Sequence, residues 1–156
     1  MKTKILVMSD SHRDVDSMVE IYNAEKPDAV IHLGDLEDDA AALERRIPGI
    51  FVHRVCGNCD MFPQSPERLI TRLGGKQIFC AHGHRYNVKF GVEGILNAAS
   101  AARCDVVLYG HTHVAESQWR DGVLIANPGA VGTYPHKYGV ITIEDGEIKY
   151  EAKSLS

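Results

Sequence analysis

Two histidines lie one residue apart in the segment Gly110-His111-Thr112-His113, directly after an apolar run at residues 106–109. A turn at the end of this predicted strand would let both imidazoles converge. Gly110 favours such a turn because it lacks a Cβ and accepts a positive φ. Neighbouring imidazoles are typical ligands of divalent metal ions, although surface or packing histidines are the alternative. A metal site therefore requires further ligands at equivalent places in the chain.

Other apolar runs also end in residues that can bind metal. The predicted strands at residues 4–8, 29–33, 50–55 and 76–80 are followed by carboxylate, amide or imidazole side chains. In open α/β sheets, ligands bind outside the carboxyl ends of parallel strands, where such side chains would meet. Together with the two histidines of the first segment, the candidates are Asp10, His12, Asp35, Asn58, His82, His111 and His113.

The order of predicted elements indicates how these residues are positioned. Asp14 is a candidate N-cap of a first helix, and apolar residues follow it at helical spacing until Pro27. With a second helix at residues 39–46, the amino-terminal part predicts β-α-β-α-β, which is typical of parallel strands joined by crossovers. A third helix is predicted at residues 89–102. Three glycine-bearing turns predict hairpins at residues 68–80, 114–126 and 138–151. We therefore expect an α/β fold of two packed, mixed sheets with helices outside, in a single domain spanning residues 1–156.

The composition is that of an ordinary globular protein, with 44% apolar and 24% charged residues among 156. The net charge of −4 argues against a general nucleic-acid surface, although metal ions could still create a local cationic site. No apolar stretch approaches the roughly 18 residues that a membrane span requires, and the short apolar run near the amino terminus ends too early for a signal peptide. We expect a cytoplasmic protein without membrane association, whose four cysteines are reduced thiols.

The seven candidates carry carboxylate, imidazole and amide groups, which suit Mn, Fe, Zn, Ni or Co. Seven ligands exceed the needs of one tetrahedral ion, and they fit two ions that share a bridging carboxylate about 3.5–4 Å apart. Taken singly, Asp10 or Asn58 could be a turn residue and His82 a packed histidine. The position of all seven after strands favours a dinuclear centre.

Six motifs occur along the chain: Asp10-x-His12, Gly34-Asp35, Gly57-Asn58-Cys59-Asp60, His82-Gly83-His84, Gly110-His111-Thr112-His113 and Asn127-Pro128-Gly129. Through these motifs nearly the whole chain resembles the calcineurin-like metallophosphoesterase superfamily, in particular its compact bacterial and archaeal phosphodiesterase branch. The resemblance implies a four-layer α/β/β/α sandwich of two mixed β-sheets flanked by helices, with two divalent ions per chain, of which Mn²⁺ is the first choice. It implies that Asp10, His12 and His113 hold one ion, that Asn58, His82 and His111 hold the other, and that Asp35 bridges them.

This ligand set implies a reaction. A water that bridges two cations loses a proton near neutral pH and becomes a hydroxide nucleophile. The same cations neutralise charge that gathers on the phosphoryl oxygens in the transition state. We therefore predict a metal-dependent phosphodiesterase that acts on a small phosphodiester. The alternative is a non-catalytic interaction or scaffold protein on the same fold, as in the retromer subunit that resembles this superfamily. Because the family often forms dimers or tetramers, a homodimer or homotetramer is compatible with the resemblance.

Two positions depart from the pattern of the superfamily. Many members have a histidine directly after the motif asparagine, where it acts as general acid or stabilises the transition state, and this chain has Cys59. A thiol is a weak hydrogen-bond donor and a poor acid for an alkoxide leaving group, so we expect slow turnover except with good leaving groups. The arginine that follows the second aspartate motif in phosphatases is also missing, because Leu36 follows Asp35. That absence favours diesters over monoesters.

Several residues keep alternative interpretations. Cys59 is a catalytic candidate only by its position, and with Cys56 it could instead form a redox pair or half of a zinc knuckle, although free thiols are favoured. His84 is a candidate substrate contact or otherwise a loop histidine. His136 follows the loop at residues 127–132, and it is a candidate contact for a phosphate.

Overall fold

Two five-stranded β-sheets lie face to face in the computed structural model, which describes residues 1–156, and three α-helices cover their outer sides. The first sheet contains β1 (Lys2–Met8), β2 (Ala29–His32), β3 (Val52–Arg54), β9 (His136–Glu144) and β10 (Glu147–Leu155). The second contains β4 (Arg68–Leu73), β5 (Lys76–Ala81), β6 (Val106–Leu108), β7 (Glu116–Arg120) and β8 (Val123–Asn127). The helices are α1 (Val15–Glu25), α2 (Glu37–Arg46) and α3 (Glu93–Ala101), and two 3₁₀ turns span His84–Tyr86 and Val88–Phe90.

Parallel strands in each sheet bring their carboxyl ends to one edge of the molecule. β1, β2 and β3 run parallel to one another, and so do β5, β6 and β8, whereas the remaining strands pair antiparallel at the sides. The loops after neighbouring strands are hydrogen-bonded there, since the amide N–H of Asp10 donates to the Gly34 carbonyl and that of Gly110 to the His82 carbonyl, both at 2.9 Å. This edge is where the predicted ligands must lie.

Apolar burial accounts for the four layers. Between the sheets, Ile5 and Ile31 of the first sheet pack with Ile78 and Leu124 of the second, and all four are fully buried. The helices α1 and α2 cover the outer side of the first sheet. Helix α3 packs its buried Ile95 against the outer side of the second. The order of layers is therefore helix, sheet, sheet, helix, which confirms the predicted α/β/β/α sandwich.

The helices follow the prediction in number and order, but α2 begins two residues earlier than predicted, at Glu37, and α3 begins later. Helix α1 begins as predicted, and the Asp14 carboxylate caps it by accepting the amide N–H of Ser17. Helix α3 begins later than predicted, at Glu93, because Gly91 adopts a positive φ of 142° that a helix cannot include. None of the three helices has the length and apolar character needed to cross a membrane.

The strands also follow the predicted order, with shifts at their ends. Strand β3 keeps only three of the predicted residues 50–55, and it lies at the edge of the first sheet with one hydrogen-bonded neighbour. Strands β9 and β10 each extend to nine residues, longer than predicted, since they pair along their full length. The three predicted hairpins are present as β4–β5, β7–β8 and β9–β10.

Candidate metal centre

The seven candidate ligands lie together at the carboxyl edge of the two sheets, and one group of donor atoms forms around Asp10. The Oδ1 atom of Asp10 lies 3.1 Å from His113 Nε2 and 4.0 Å from His12 Nε2. One donor atom from each of these three residues lies within 4.8 Å of the other two. This spacing would allow the three side chains to bind a common ion.

A second group of donors lies directly beside the first. His82 Nε2 is 3.2 Å from Asp35 Oδ2 and 3.7 Å from Asp10 Oδ1. His111 Nδ1 is 3.3 Å from the same nitrogen of His82 and 3.0 Å from Asn58 Oδ1. The donor atoms of Asp10, Asp35 and His82 again lie within 4.8 Å of one another, so Asp10 belongs to both groups. The bridging role assigned to Asp35 from the sequence stays a prediction.

Left-handed backbone positions five of the seven candidates. Their φ angles are 53° at Asp10, 42° at His12, 51° at Asp35, 69° at His111 and 64° at His113. A positive φ disfavours any residue that has a Cβ, and such conformations persist where the surrounding structure enforces them, often at functional sites. The chain therefore turns sharply at these strand ends, which aims the side chains at one space.

Gly110 serves a different purpose from the predicted one. Its φ is not positive, and the turn is made instead by His111 and His113. A Cβ at position 110 would lie 2.1 Å from Ser9 Oγ and 2.8 Å from Asp10 Oδ2. Only glycine therefore allows the two sheets to approach so closely that the His111 amide N–H donates to Asp10 Oδ2 at 3.1 Å. The Ser9 hydroxyl donates to the same oxygen at 2.6 Å, which leaves Oδ1 facing the histidines.

Hydrogen bonds also fix the donors of the second group. Asp35 Oδ1 accepts the amide N–H of Cys59 at 2.9 Å, which leaves Oδ2 for His82. His82 Nδ1 lies 2.7 Å from the Leu33 carbonyl oxygen. Because a carbonyl can only accept, Nδ1 carries the proton and Nε2 faces the two carboxylates, which is the orientation that a metal-binding histidine requires.

The two carboxylates at this centre are buried without a lysine or arginine partner. Asp10 is 0% and Asp35 2% exposed, and all their ion-pair contacts are with histidines. Burial acts to raise the pKa of Asp35, but His82 and the Cys59 amide outweigh it and hold that pKa below its usual range. The pKa of His82 is raised, since the two carboxylates outweigh its own burial. Buried carboxylates surrounded by imidazoles fit divalent cations, which would neutralise both charges.

Asp60, which the sequence analysis did not single out as functional, holds two of the ligand loops together. Its carboxylate accepts the amide N–H groups of Asp35, Glu37 and Gly57 at 3.2, 2.8 and 2.6 Å. It thereby ties the loop after β2 to the loop after β3. The available sequence signal was its place three residues after Gly57, where an aspartate can accept a local amide N–H in a turn.

A second supporting network surrounds His32, which the sequence indicated only as a strand residue. The Gly34 amide N–H donates to His32 Nδ1 at 3.1 Å, and His32 Nε2 lies 2.8 Å from Ser11 Oγ. The Ser11 hydroxyl in turn donates to the Asp39 carboxylate. Burial lowers the pKa of His32 to about 4, so the ring stays neutral and can accept at one nitrogen and donate at the other. This network braces the loops after β1 and β2.

A cavity of about 270 Å³ opens onto the candidate centre. Cys59 lines it, and partial burial and the Asp35 carboxylate raise the pKa of its thiol. The thiol is therefore protonated near neutral pH and is a weak donor. Cys56 is buried, and both thiols are free, with no disulfide between them. The complete lining consists of His12, Asp35, Asn58, Cys59, Lys89, His111, Thr112 and His113.

The two histidines predicted as substrate contacts occupy different places. The ring of His84 lies beside the centre, with its centroid 5.6 Å from that of His82 and 6.2 Å from that of His111, and its Nδ1 is buried without a hydrogen-bond partner. His136 does not line the cavity, and its Nδ1 contacts a backbone carbonyl at 2.6 Å and Asp14 Oδ2 at 3.2 Å. Substrate binding by either residue stays a prediction.

Comparison of the sequence with known proteins identifies related phosphoesterases. The model of the calcineurin-like phosphoesterase superfamily domain matches residues 3–146. The probable metallophosphoesterase YsnB of Bacillus subtilis is 30% identical over 149 residues, which cover 90% of this chain and 85% of that protein. The phosphodiesterase MJ0936 of Methanocaldococcus jannaschii is 29% identical over 163 residues, which cover 94% of this chain and 95% of that protein.

Comparison of the fold gives a consistent result. A crystal structure of a predicted phosphoesterase from Streptococcus pneumoniae matches with a TM-score of 0.84 at 33% identity, covering 99% of this chain and 90% of the other. Vps29 from Cryptosporidium parvum matches with a TM-score of 0.74 at 17% identity, covering 99% of this chain and 98% of the other. At that identity the likeness to Vps29 concerns the fold alone.

Proposed function

The chain belongs to the calcineurin-like phosphoesterase superfamily, and we propose that it is a phosphodiesterase whose activity depends on two divalent metal ions. The observation that carries the proposal is the convergence of two buried carboxylates, four imidazoles and an amide oxygen at one edge of the sheets. The whole chain, residues 1–156, would act as a single metallophosphoesterase domain. Its relationship to the phosphodiesterase MJ0936 supports a diester as the substrate.

The ligand assignment follows the two groups of donors. Two ions bound there would supply a nucleophile, by lowering the pKa of a water between them, and would neutralise charge on the phosphoryl oxygens. The donor set suits Mn²⁺ first, and also Ni, Fe, Zn or Co. Asp10, His12 and His113 would hold one ion, Asn58, His82 and His111 would hold the other, and Asp35 would bridge them.

The protein's own part in this reaction is to hold the donors in place before the substrate arrives. The Leu33 carbonyl fixes the ring of His82, and Asp60 fixes the loops that carry Asp35 and Asn58. No side chain is needed as a nucleophile. The Cys59 thiol, at the position of the histidine found in many members, is a weak donor, so substrates with good leaving groups should react fastest.

The remaining predictions about substrate and surroundings are part of the same proposal. We infer a small phosphodiester substrate, no general nucleic-acid surface and no membrane association, for a cytoplasmic protein that could form a homodimer or homotetramer. The alternative function, an interaction scaffold, is supported only by a fold shared with Vps29. The seven converging donors favour the enzyme, because a scaffold has no need of strained, buried ligands.

The proposal is tested by hydrolysis of bis(p-nitrophenyl) phosphate after EDTA treatment and addition of Mn²⁺. We expect activity in the wild type, none above background in His111→Ala, and wild-type activity in His53→Ala. His53 is a suitable control because it is also a half-buried histidine, lies on β3 and contacts Phe51, away from the centre. Wild-type activity in His111→Ala, or a wild type that does not hydrolyse the diester, would contradict the proposal, and a wild type that also gains no thermal stability with Mn²⁺ would contradict the metal site itself.

A further inference from the structure

Lys89 is the only lysine or arginine that lines the cavity over the candidate metal centre. Two other lining residues are not candidate ligands, Cys59 and Thr112. The Thr112 hydroxyl oxygen already accepts the amide N–H of Val114 at 3.1 Å and the side-chain N–H of Asn127 at 2.9 Å. The Cys59 thiol is a weak donor. The bonds at Thr112 leave its O–H free to donate, but that group is neutral, so the Lys89 ammonium group is the one permanently charged donor of the lining.

The charge of Lys89 has no partner within the protein. Lys89 takes part in none of the ion pairs in the structure. The lysines and arginines that do are Lys4, Arg46, Arg54, Arg85, Arg120 and Lys153. An ammonium group beside a site for two dications would be repelled by them unless an anion lies between. A phosphodiester in the cavity supplies that anion.

The backbone ties Lys89 to the metal centre. Lys89 is the middle residue of the 3₁₀ turn Val88–Phe90, while Val88 is 4% exposed and packs against Gly83. A Cβ at Gly83 would lie 2.7 Å from Val88 Cγ2, so only glycine permits this contact. Gly83 directly follows the candidate ligand His82. The packing of Val88 on Gly83 thus fixes the 3₁₀ turn relative to His82, and the exposed Lys89 of that turn lines the cavity.

We propose that Lys89 binds a non-bridging oxygen of the scissile phosphodiester, an inference that rests on the proposed function. The chain lacks the arginine expected after Asp35, and Lys89 supplies a positive charge from a different part of the fold. The ammonium group is a compact charge on a flexible stem, which can reach a phosphoryl oxygen held at the metal centre. Lys89 is thereby a substrate-binding residue of the proposed diesterase.

The inference is tested with Lys89→Met, Lys89→Arg and the control Lys149→Met. Lys149 is also an exposed lysine, and it lines a separate cavity with Lys2 and Glu144, at the amino end of β1. Two quantities are measured on the Mn²⁺-loaded proteins: the affinity for inorganic phosphate by calorimetry, and kcat and KM for bis(p-nitrophenyl) phosphate. Because the phosphoryl oxygens are charged in both ground and transition states, the loss should fall on KM more than on kcat.

We expect Lys89→Met to weaken phosphate binding and to raise KM, each by about tenfold or more, which is the size of one charge-assisted hydrogen bond. Lys89→Arg should recover most of the loss, and Lys149→Met should change neither quantity. Unchanged phosphate affinity and KM in Lys89→Met, in an active wild type, would overturn the inference and leave the proposed function standing. A wild type without diesterase activity, whose phosphate affinity still falls in Lys89→Met, would support the phosphate contact and refute the proposed function.

Discussion

Two regions of this molecule bury carboxylates, and they treat the charge in opposite ways. At the carboxyl end of α1, Glu25 is 7% exposed, and its carboxylate contacts Lys4 Nζ at 3.0 Å, Lys153 Nζ at 2.9 Å and the Tyr138 hydroxyl at 2.6 Å. At the candidate metal centre, Asp10 faces only histidines among titratable partners. Glu25 is thus given permanent cations, whereas Asp10 is surrounded by side chains that can themselves bind metal.

The backbone also differs between the two regions, because it is regular around Glu25 and left-handed at five of the candidate ligands. Glu25 is the last residue of a regular helix, and the left-handed residue that follows it, Lys26, closes that helix through an amide N–H to the Tyr22 carbonyl. The strained residues of the metal centre close no helix and serve to aim side chains. Strain and unneutralised charge therefore coincide at one edge of the molecule, where a bound cation would compensate for both. A substitution at the metal centre should therefore reduce activity and spare stability, whereas a substitution at Glu25 should reduce stability and spare activity.

The largest effect is expected from Asp10→Asn, which removes the carboxylate shared by both donor groups. We expect activity towards bis(p-nitrophenyl) phosphate to fall by more than about 100-fold, since changes even to residues that merely support a metal ligand cost 10–100-fold. The increase in melting temperature on addition of Mn²⁺ should be lost as well. In EDTA the variant should be as stable as the wild type or more so, because an uncompensated buried charge has been removed. An Asp10→Asn protein that keeps its Mn²⁺ response would remove the distinction between the two regions.

Glu25→Gln should show the reverse pattern, with lower stability and intact activity. Removing one charge leaves Lys4 and Lys153 without their partner, and both are partly exposed, so we expect a loss of about 2 kcal/mol in the free energy of unfolding, below the value for a fully buried pair. Urea denaturation in EDTA measures this loss. The control is Glu20→Gln on the same helix, where the glutamate is exposed and the change should be within about 0.5 kcal/mol.

The pH dependence of the same variant sharpens the contrast. Burial alone would raise the pKa of Glu25, but hydrogen bonds from Tyr138, Lys153 and Lys4 outweigh it and lower the pKa from 4.5 to about 2. A folded-state pKa below the unfolded one means that the stabilisation is complete above pH 4.5 and is lost as the pH falls towards 2. The difference in unfolding free energy between wild type and Glu25→Gln should therefore be larger at pH 6 than at pH 3. An equal difference at both values would show that the charge of Glu25 is not what stabilises this region.

The two regions also differ in how far the sequence alone could predict them. The candidate ligands were found because each follows an apolar run within a few residues, so that local pattern and the geometry of parallel strands were enough. The partners of Glu25 lie 113 and 128 residues away at Tyr138 and Lys153, on a hairpin that was predicted but whose place beside β1 no local pattern specifies. The order of elements was predicted for the same local reasons and the four layers from the family resemblance, while the ends of β3 and the start of α3 depended on edge pairing and on Gly91.

Within the metal centre, local pattern failed where a role depends on approach across the fold. Gly110 was predicted to supply a positive φ, whereas it is required by the closeness of Ser9. Asp60 supports Asp35, which lies 25 residues away, and Lys89 lines the cavity because Val88 packs on Gly83. Residue type and spacing can identify a ligand, but supporting and substrate contacts follow from packing that only the structure reveals.

The smallest effect is expected at Cys59, and it tests whether the metal centre lacks a proton donor as well as a permanent cation. Cys59 is exposed and lies beside the candidate ligand Asn58, so an imidazole can replace the thiol without disturbing the core. A well-placed general acid contributes about 10²–10⁴-fold, and a newly introduced histidine without supporting contacts should recover only a small part. We expect Cys59→His to raise kcat for a diester with an alkyl leaving group by up to about tenfold, with little change for p-nitrophenolate, which needs no proton. Cys59→Ser is the control and should leave the ratio of the two rates unchanged. Equal gains on both substrates would mean that the histidine improves binding and that proton donation does not limit the reaction.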